Sequence, residues 1–159
     1  MMMKMPERRS RKIPNWCEGV LRVKGKTKNI EKMILECMIP VDMVGNEMPR
    51  LENDDGVIMS DFDCWIRGTH RGFAEAFELW IDDDEESVIA IKTKFAWDVS
   101  AKELSLISKQ YELDFRLYAF EAGMEFNRDI EIIHGEITKD NEIMFDDYKW
   151  DCVCPIAGG

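Results

Sequence analysis

This sequence is poor in the residues from which most active sites are assembled. It holds two histidines, His70 and His134. Its five cysteines are odd in number and scattered, so they do not form a disulfide framework; reduced thiols in a cytosol are expected. Cys152-x-Cys154 has a ligand-like spacing, but a zinc site needs about four ligands, and no second Cys pair or His pair accompanies it. No metal and no cofactor is expected. No apolar run approaches the roughly 20 residues that cross a bilayer, so no membrane association is expected. Met1–Lys12 is basic but is followed by no hydrophobic segment, which argues against a secretory signal and for a cytoplasmic protein. There is no internal repeat and no low-complexity linker.

Basic charge is also scarce outside that tail. The whole chain carries −11. Met1–Lys12 holds five basic residues and one acid, a local +4, so the residues after it carry −15. A body so acidic repels phosphates and attracts basic surfaces. Acidity also serves solubility alone, and a basic terminus is commonly a solvated tail.

What is present is a clear pattern of secondary structure, organised around Val88 to His134. A β-branched run from Val88 closes at Phe95-Ala96-Trp97-Asp98. Ser100-Ala101-Lys102-Glu103 is a capping box, and Leu104, Ile107 and Tyr111 give one apolar helical face. Phe115, Leu117 and Ala119 alternate with Arg116, Tyr118 and Phe120 as in a strand. Phe126, Ile130 and Ile132 continue in another strand, His134-Gly135 turns, and strands at Glu136–Thr138 and Glu142–Phe145 follow around a turn at Lys139-Asp140-Asn141.

Upstream, Leu21 and Val23 alternate with Arg22 and Lys24 in a half-buried strand ending at Gly25. Thr27 is placed to cap a helix in which Ile30, Met33, Ile34, Cys37 and Met38 share a face, and Pro40 stops it. Residues 41–65, with seven acids and one arginine, read as an acidic surface insertion. Ala76 to Ile81 reads as a strand that forms a hairpin with the Val88 strand, tipped by Asp82, Asp83, Asp84, Glu85 and Glu86. The order β-α-β-β-α-β with extra C-terminal strands predicts an α+β protein: a ferredoxin-like split β-α-β, with an antiparallel sheet and two helices on one face. The expected organisation is a flexible basic tail at 1–12, the folded domain at 13–145 and a C-terminal extension at 146–159.

Several segments carry a resemblance. Pro14-Asn15-Trp16-Cys17 ahead of a strand ending in Gly25, Met38-Ile39-Pro40 after the first helix, Arg67-Gly68-Thr69, Phe95-Ala96-Trp97 and Glu121-Ala122-Gly123-Met124 together resemble the YubB ferredoxin-like family across most of Pro14 to Ile137. Ala122 departs from the family's usual proline, and Asp98-Val99 replaces the proline-rich residues that usually follow the tryptophan. The resemblance implies the same fold and a phage or plasmid context. It supplies no reaction.

His70 lies in sequence near Asp63, Cys64, Arg67 and Arg71, so Cys64 and His70 are the pair to examine for nucleophilic chemistry. No complete catalytic constellation is present, and a non-enzymatic role is expected. Carboxylate rows can imitate a phosphate backbone and occupy a basic groove. The expected function is therefore that of a mobile-element accessory protein. Its acids Glu52, Asp54, Asp55, Asp61 and Asp63, with Asp82–Glu86, would bind a basic surface of a host protein. A nucleic-acid-handling defence complex inhibited in an anti-CRISPR-like manner is one such target. The alternative is a nucleic-acid-binding module using Tyr118 and Phe120 on the sheet with Arg8, Arg9 and Arg11 of the tail, although the overall charge makes nucleic acid the less expected partner. Trp16, Trp97 and Met124 read as structural.

Overall fold

A computed structural model describes residues 14–148. The basic tail and the Cys152-x-Cys154 pair lie outside them. The elements in chain order are β1 (Trp16–Lys26), α1 (Thr27–Cys37), β2 (Met38–Pro40), β3 (Val57–Ser60), β4 (Cys64–Ile66), β5 (Gly72–Ala74), β6 (Phe77–Trp80), β7 (Glu86–Ala96), α2 (Ala101–Tyr111), β8 (Asp114–Glu121), β9 (Phe126–Ile133) and β10 (Glu136–Met144), with a 3₁₀ turn at Phe145–Asp147.

Eight strands form one sheet in the order β10-β9-β8-β1-β7-β5-β4-β2, and β3 pairs with β6 in a separate two-stranded ribbon. Every neighbouring pair is antiparallel. This is an α+β protein with a mostly antiparallel sheet and two helices. A split β-α-β places one strand between the two that flank the first helix. Here three strands, β7, β5 and β4, lie between β1 and β2.

Period-2 burial builds the sheet. Cys17, Gly19, Leu21 and Val23 of β1, Ile91, Thr93 and Phe95 of β7 and Phe115, Leu117 and Ala119 of β8 are buried, while the residues alternating with them are half-buried or exposed. Ile30, Met33 and Ile34 of α1 and Leu104 and Ile107 of α2 close the core over that face. Each such side chain contributes about 1.5–3 kcal/mol on leaving water. The two helices also meet directly: the Cys37 thiol donates to Tyr111 Oη at 3.3 Å, and that hydroxyl donates to Glu36 at 2.8 Å. Among the described residues, the opposite face of the sheet carries no α-helix.

Several local expectations change. Ser100 Oγ accepts from the Glu103 amide at 3.2 Å, but Glu103 does not complete the capping box; its carboxylate instead accepts from the His70 amide at 3.2 Å. Thr27 does not cap α1. It is the first helical residue, and its hydroxyl shares a 2.6 Å hydrogen bond with Ser87. Residues 41–65 are not one loop, because β3 and the start of β4 lie within them. Strand β6 forms no hairpin with β7; its four residues pair with β3, so the acidic run crosses between two sheets. Lys139-Asp140-Asn141 is strand, not turn. Pairing with β9 continues through it after an irregularity between Ile137 and Lys139. The reversal sits at His134-Gly135, whose φ angles of +50° and +77° suit a two-residue hairpin that follows the strand twist.

Candidate functional site

The expected acidic residues border one feature, the β3–β6 ribbon. Its inner face contributes Ile58 and Leu79 to the core. Its outer face pairs Val57 with Trp80 and Met59 with Glu78. Trp80 is 74% exposed and Met59 54%. At one end the Ile81 amide donates to the Gly56 carbonyl at 2.7 Å, so Asp54-Asp55 and Asp82–Asp84 leave the ribbon side by side. The Asp54 amide bonds the Val57 carbonyl at 2.9 Å, and the Glu85 carbonyl accepts from the Thr27 amide at 2.9 Å, which fixes both acidic segments. Asn53 ties the same end to α1 by donating to Glu31 at 2.9 Å. Lys26 and Lys28 line a cleft with Asp82–Glu85, but form no ion pair with them.

Asp61 and Asp63 lie at the opposite end of β3, beside the part-exposed Phe62. Asp63 is already engaged: it pairs with Lys94 at 3.0 Å and accepts from the Ala76 amide at 3.2 Å. Glu52, Asp54 and Asp61 line a cleft of about 510 Å³ along β3 with Val57, Met59 and Phe62. Two acidic runs some thirty residues apart in sequence thus meet at one end of one apolar strip. The strip itself was missed in the sequence, although alternation within residues 76–81 already set Trp80 apart from Phe77, Leu79 and Ile81.

The Cys64–His70 pair is not assembled. Cys64 is fully buried on β4, its thiol donates to Ser60 Oγ at 3.3 Å, and burial pushes its pKa up. His70 is exposed in the following loop, and no hydrogen bond joins the two. A buried, protonated thiol is a poor nucleophile. Among the described residues no group of three or more His, Cys, Asp or Glu is placed to hold a metal, and no helix is long and apolar enough to cross a membrane.

Tyr118 and Phe120 lie half-buried on the helix-free face. Tyr118 Oη shares a 2.6 Å hydrogen bond with Tyr148 Oη and accepts from Asn127 Nδ2 at 2.7 Å. Arg8, Arg9 and Arg11 lie outside the described residues.

Segments far apart in sequence meet at one end of the central strands. The Trp97 amide donates to the Asn15 carbonyl at 2.7 Å. The buried Glu121 carboxylate accepts from the Gly123 and Met124 amides, and Gly123 packs directly on the Asn15 side chain. Trp16 does have a structural role: its ring meets Phe73 edge-on at 5.9 Å. Trp97 and Met124 do not pack as core residues; they are 51% and 65% exposed.

Comparison with protein-family models, with curated proteins and with solved structures finds no match to this chain.

Proposed function

We propose that the outer face of the β3–β6 ribbon is a docking surface for a basic protein partner. The observation that carries this reading is Trp80, exposed in the last pair of the ribbon beside the end where Asp54-Asp55 and Asp82–Asp84 leave it, with Met59 continuing the apolar strip toward Asp61 at the other end. An apolar centre with a polar rim is the usual anatomy of a protein interface, and tryptophan is among the residues that carry most binding energy there. The carboxylates supply steering and a salt-dependent association rate. No catalytic group is required.

The resemblance to the YubB ferredoxin-like family extends the proposal in two directions. The core order β8-β1-β7, with α1 leading to a strand on the β7 side, reads as a ferredoxin-like sheet widened by the β4–β5 hairpin. The implied mobile-element context makes a cytoplasmic host machine that handles nucleic acid the partner of choice, since its grooves are basic. The chain would then block that groove.

The test is capture from host lysate on immobilised protein, after nuclease, at low and high salt. The expected partner survives nuclease and is released by salt. It is lost when Trp80 is changed to Ala or when Asp54, Asp55, Asp82 and Asp83 are changed to Lys. Retention by both variants removes the ribbon from the interface.

A further inference from the structure

One face of this acidic chain gathers cations, although Glu18, Asp114, Asp129 and Glu131, the last directly opposite Arg116, share it. On the helix-free side of the sheet, Arg22 of β1 lies directly opposite Arg116 of β8. Lys24 is two residues along β1, and Lys92 of β7 is diagonal to Arg22, opposite Val20. Like charges directly across a strand pair are destabilising, so the arrangement is one that folding alone disfavours. Arg116 is partly compensated by Asp129, which also takes Lys139 at 2.7 Å. Arg22, Lys24 and Lys92 have no ion pair among the described residues. Asp114, opposite Lys24, is turned to the His134 amide at 2.9 Å.

Aromatic rings continue the same face. Tyr118 stands two residues from Arg116 and opposite Val20, and Phe120 stands opposite Glu18. We infer that this face, Arg22, Lys24, Lys92 and Arg116 with Tyr118 and Phe120, binds single-stranded nucleic acid. The cations would track the phosphates and the rings would stack bases, the combination that sequence-tolerant single-strand binders use. The net charge of −11 does not oppose this strongly, because exposed charges farther apart than about 8 Å are largely screened at physiological salt. Of the acids around the ribbon, Asp63 pairs with Lys94, two residues along β7 from Lys92. A single-stranded ligand here does not require the protein partner proposed above.

The experiment is fluorescence anisotropy of the full chain with fluorescein-labelled RNA and DNA dodecamers. Binding is expected at about 50 mM salt and is expected to weaken steeply by about 200 mM. Arg22→Glu and Lys92→Glu should each weaken it ten-fold or more, and Phe120→Ala several-fold. All three should retain the wild-type circular dichroism spectrum. Asp82→Lys with Asp83→Lys should leave it intact or tighten it slightly. No anisotropy change at low salt overturns the inference. So does binding unaffected by Arg22→Glu and Lys92→Glu, or lost only when Arg8, Arg9 and Arg11 are replaced by Gln. Displacement of the dodecamer by polyglutamate as efficiently as by unlabelled oligonucleotide also overturns it, and reassigns the face to an acidic peptide.

Discussion

Arg128 donates from Nη1 to the Asp98 carboxylate at 2.7 Å, linking the middle of β9 to the segment that enters α2. The same nitrogen reaches the Val99 carbonyl at 3.0 Å, and Nη2 bonds Asp140 on β10. The guanidinium is buried while both carboxylates keep substantial contact with water. Removing the arginine leaves two acids that rehydrate, whereas removing one acid leaves a buried cation with one partner fewer. Arg128→Ala is expected to lower unfolding free energy by about 2–3 kcal/mol, below the full loss for a wholly buried pair. Asp98→Ala is expected to cost about 1–2 kcal/mol. Urea unfolding at neutral pH checks both; a loss within error of zero for Arg128→Ala would show that the clamp adds no net stability.

The long elements were legible in the sequence because each carries its own periodicity. β1 and β8 alternate strictly, α1 and α2 repeat at helical spacing, and Ser100 marks where α2 begins. The ribbon was not legible. β3 and β6 have four residues each, too few for alternation to specify a partner, and the acids after β6 looked like a hairpin tip. Their pairing is decided by tertiary contacts, with Ile58 and Leu79 buried on the core, which is the usual override of strand propensity. The acidic runs were visible as runs, but that Asp55 and Asp82 leave the same end of one ribbon follows only from the β3–β6 register. Likewise Arg22 and Arg116 are ordinary solvent-side residues until the β1–β8 register sets them opposite one another.

Gly19 tests how tightly the two central strands approach. A Cβ there would lie 2.4 Å from the Tyr118 carbonyl oxygen and 2.8 Å from Ala119 Cα. Both are backbone atoms of the neighbouring strand, so relief requires the strands to separate. Its own carbonyl also accepts from Thr93 Oγ1 at 2.8 Å, which pins it to β7. Gly19→Ala is expected to destabilise by about 3 kcal/mol, at the upper end for overpacking. Differential scanning calorimetry should show a clear drop in Tm, and an unchanged Tm would mean that β1 and β8 yield without cost.

Asp129 gives the acid limb of stability. Burial alone would raise its carboxyl pKa, but hydrogen bonds from Lys139 and Arg116 and their charges outweigh burial and hold it below the ordinary carboxylate value. A depressed folded-state pKa contributes stability that is present in full above the unfolded value of about 3.9 and is lost as pH falls through the folded one. Asp129→Asn should therefore be less stable than wild type at pH 7, and the gap should narrow as pH falls below about 4. Urea midpoints across that range check the sign; a gap constant with pH would mean that the ion pairs are not its source.

The buried thiols make a final prediction about reactivity. Burial, followed by the nearby Asp98 carboxylate, pushes Cys17 up to about 12. Burial likewise raises Cys37 and Cys64, against smaller lowering from hydrogen bonds to Tyr111 and Ser60. Thiolate is the reacting form, so at neutral pH all three should resist iodoacetamide in the native protein and react freely in urea. Peptide-resolved mass spectrometry distinguishes them. Their labelling should require opening of the core, so Arg128→Ala, which releases the Asp98-Val99 segment whose Asp98 charge acts on Cys17, should speed modification of Cys17 more than that of Cys37. Equal acceleration at both positions would show that the core opens as one unit instead of locally around β9 and the α2 entry.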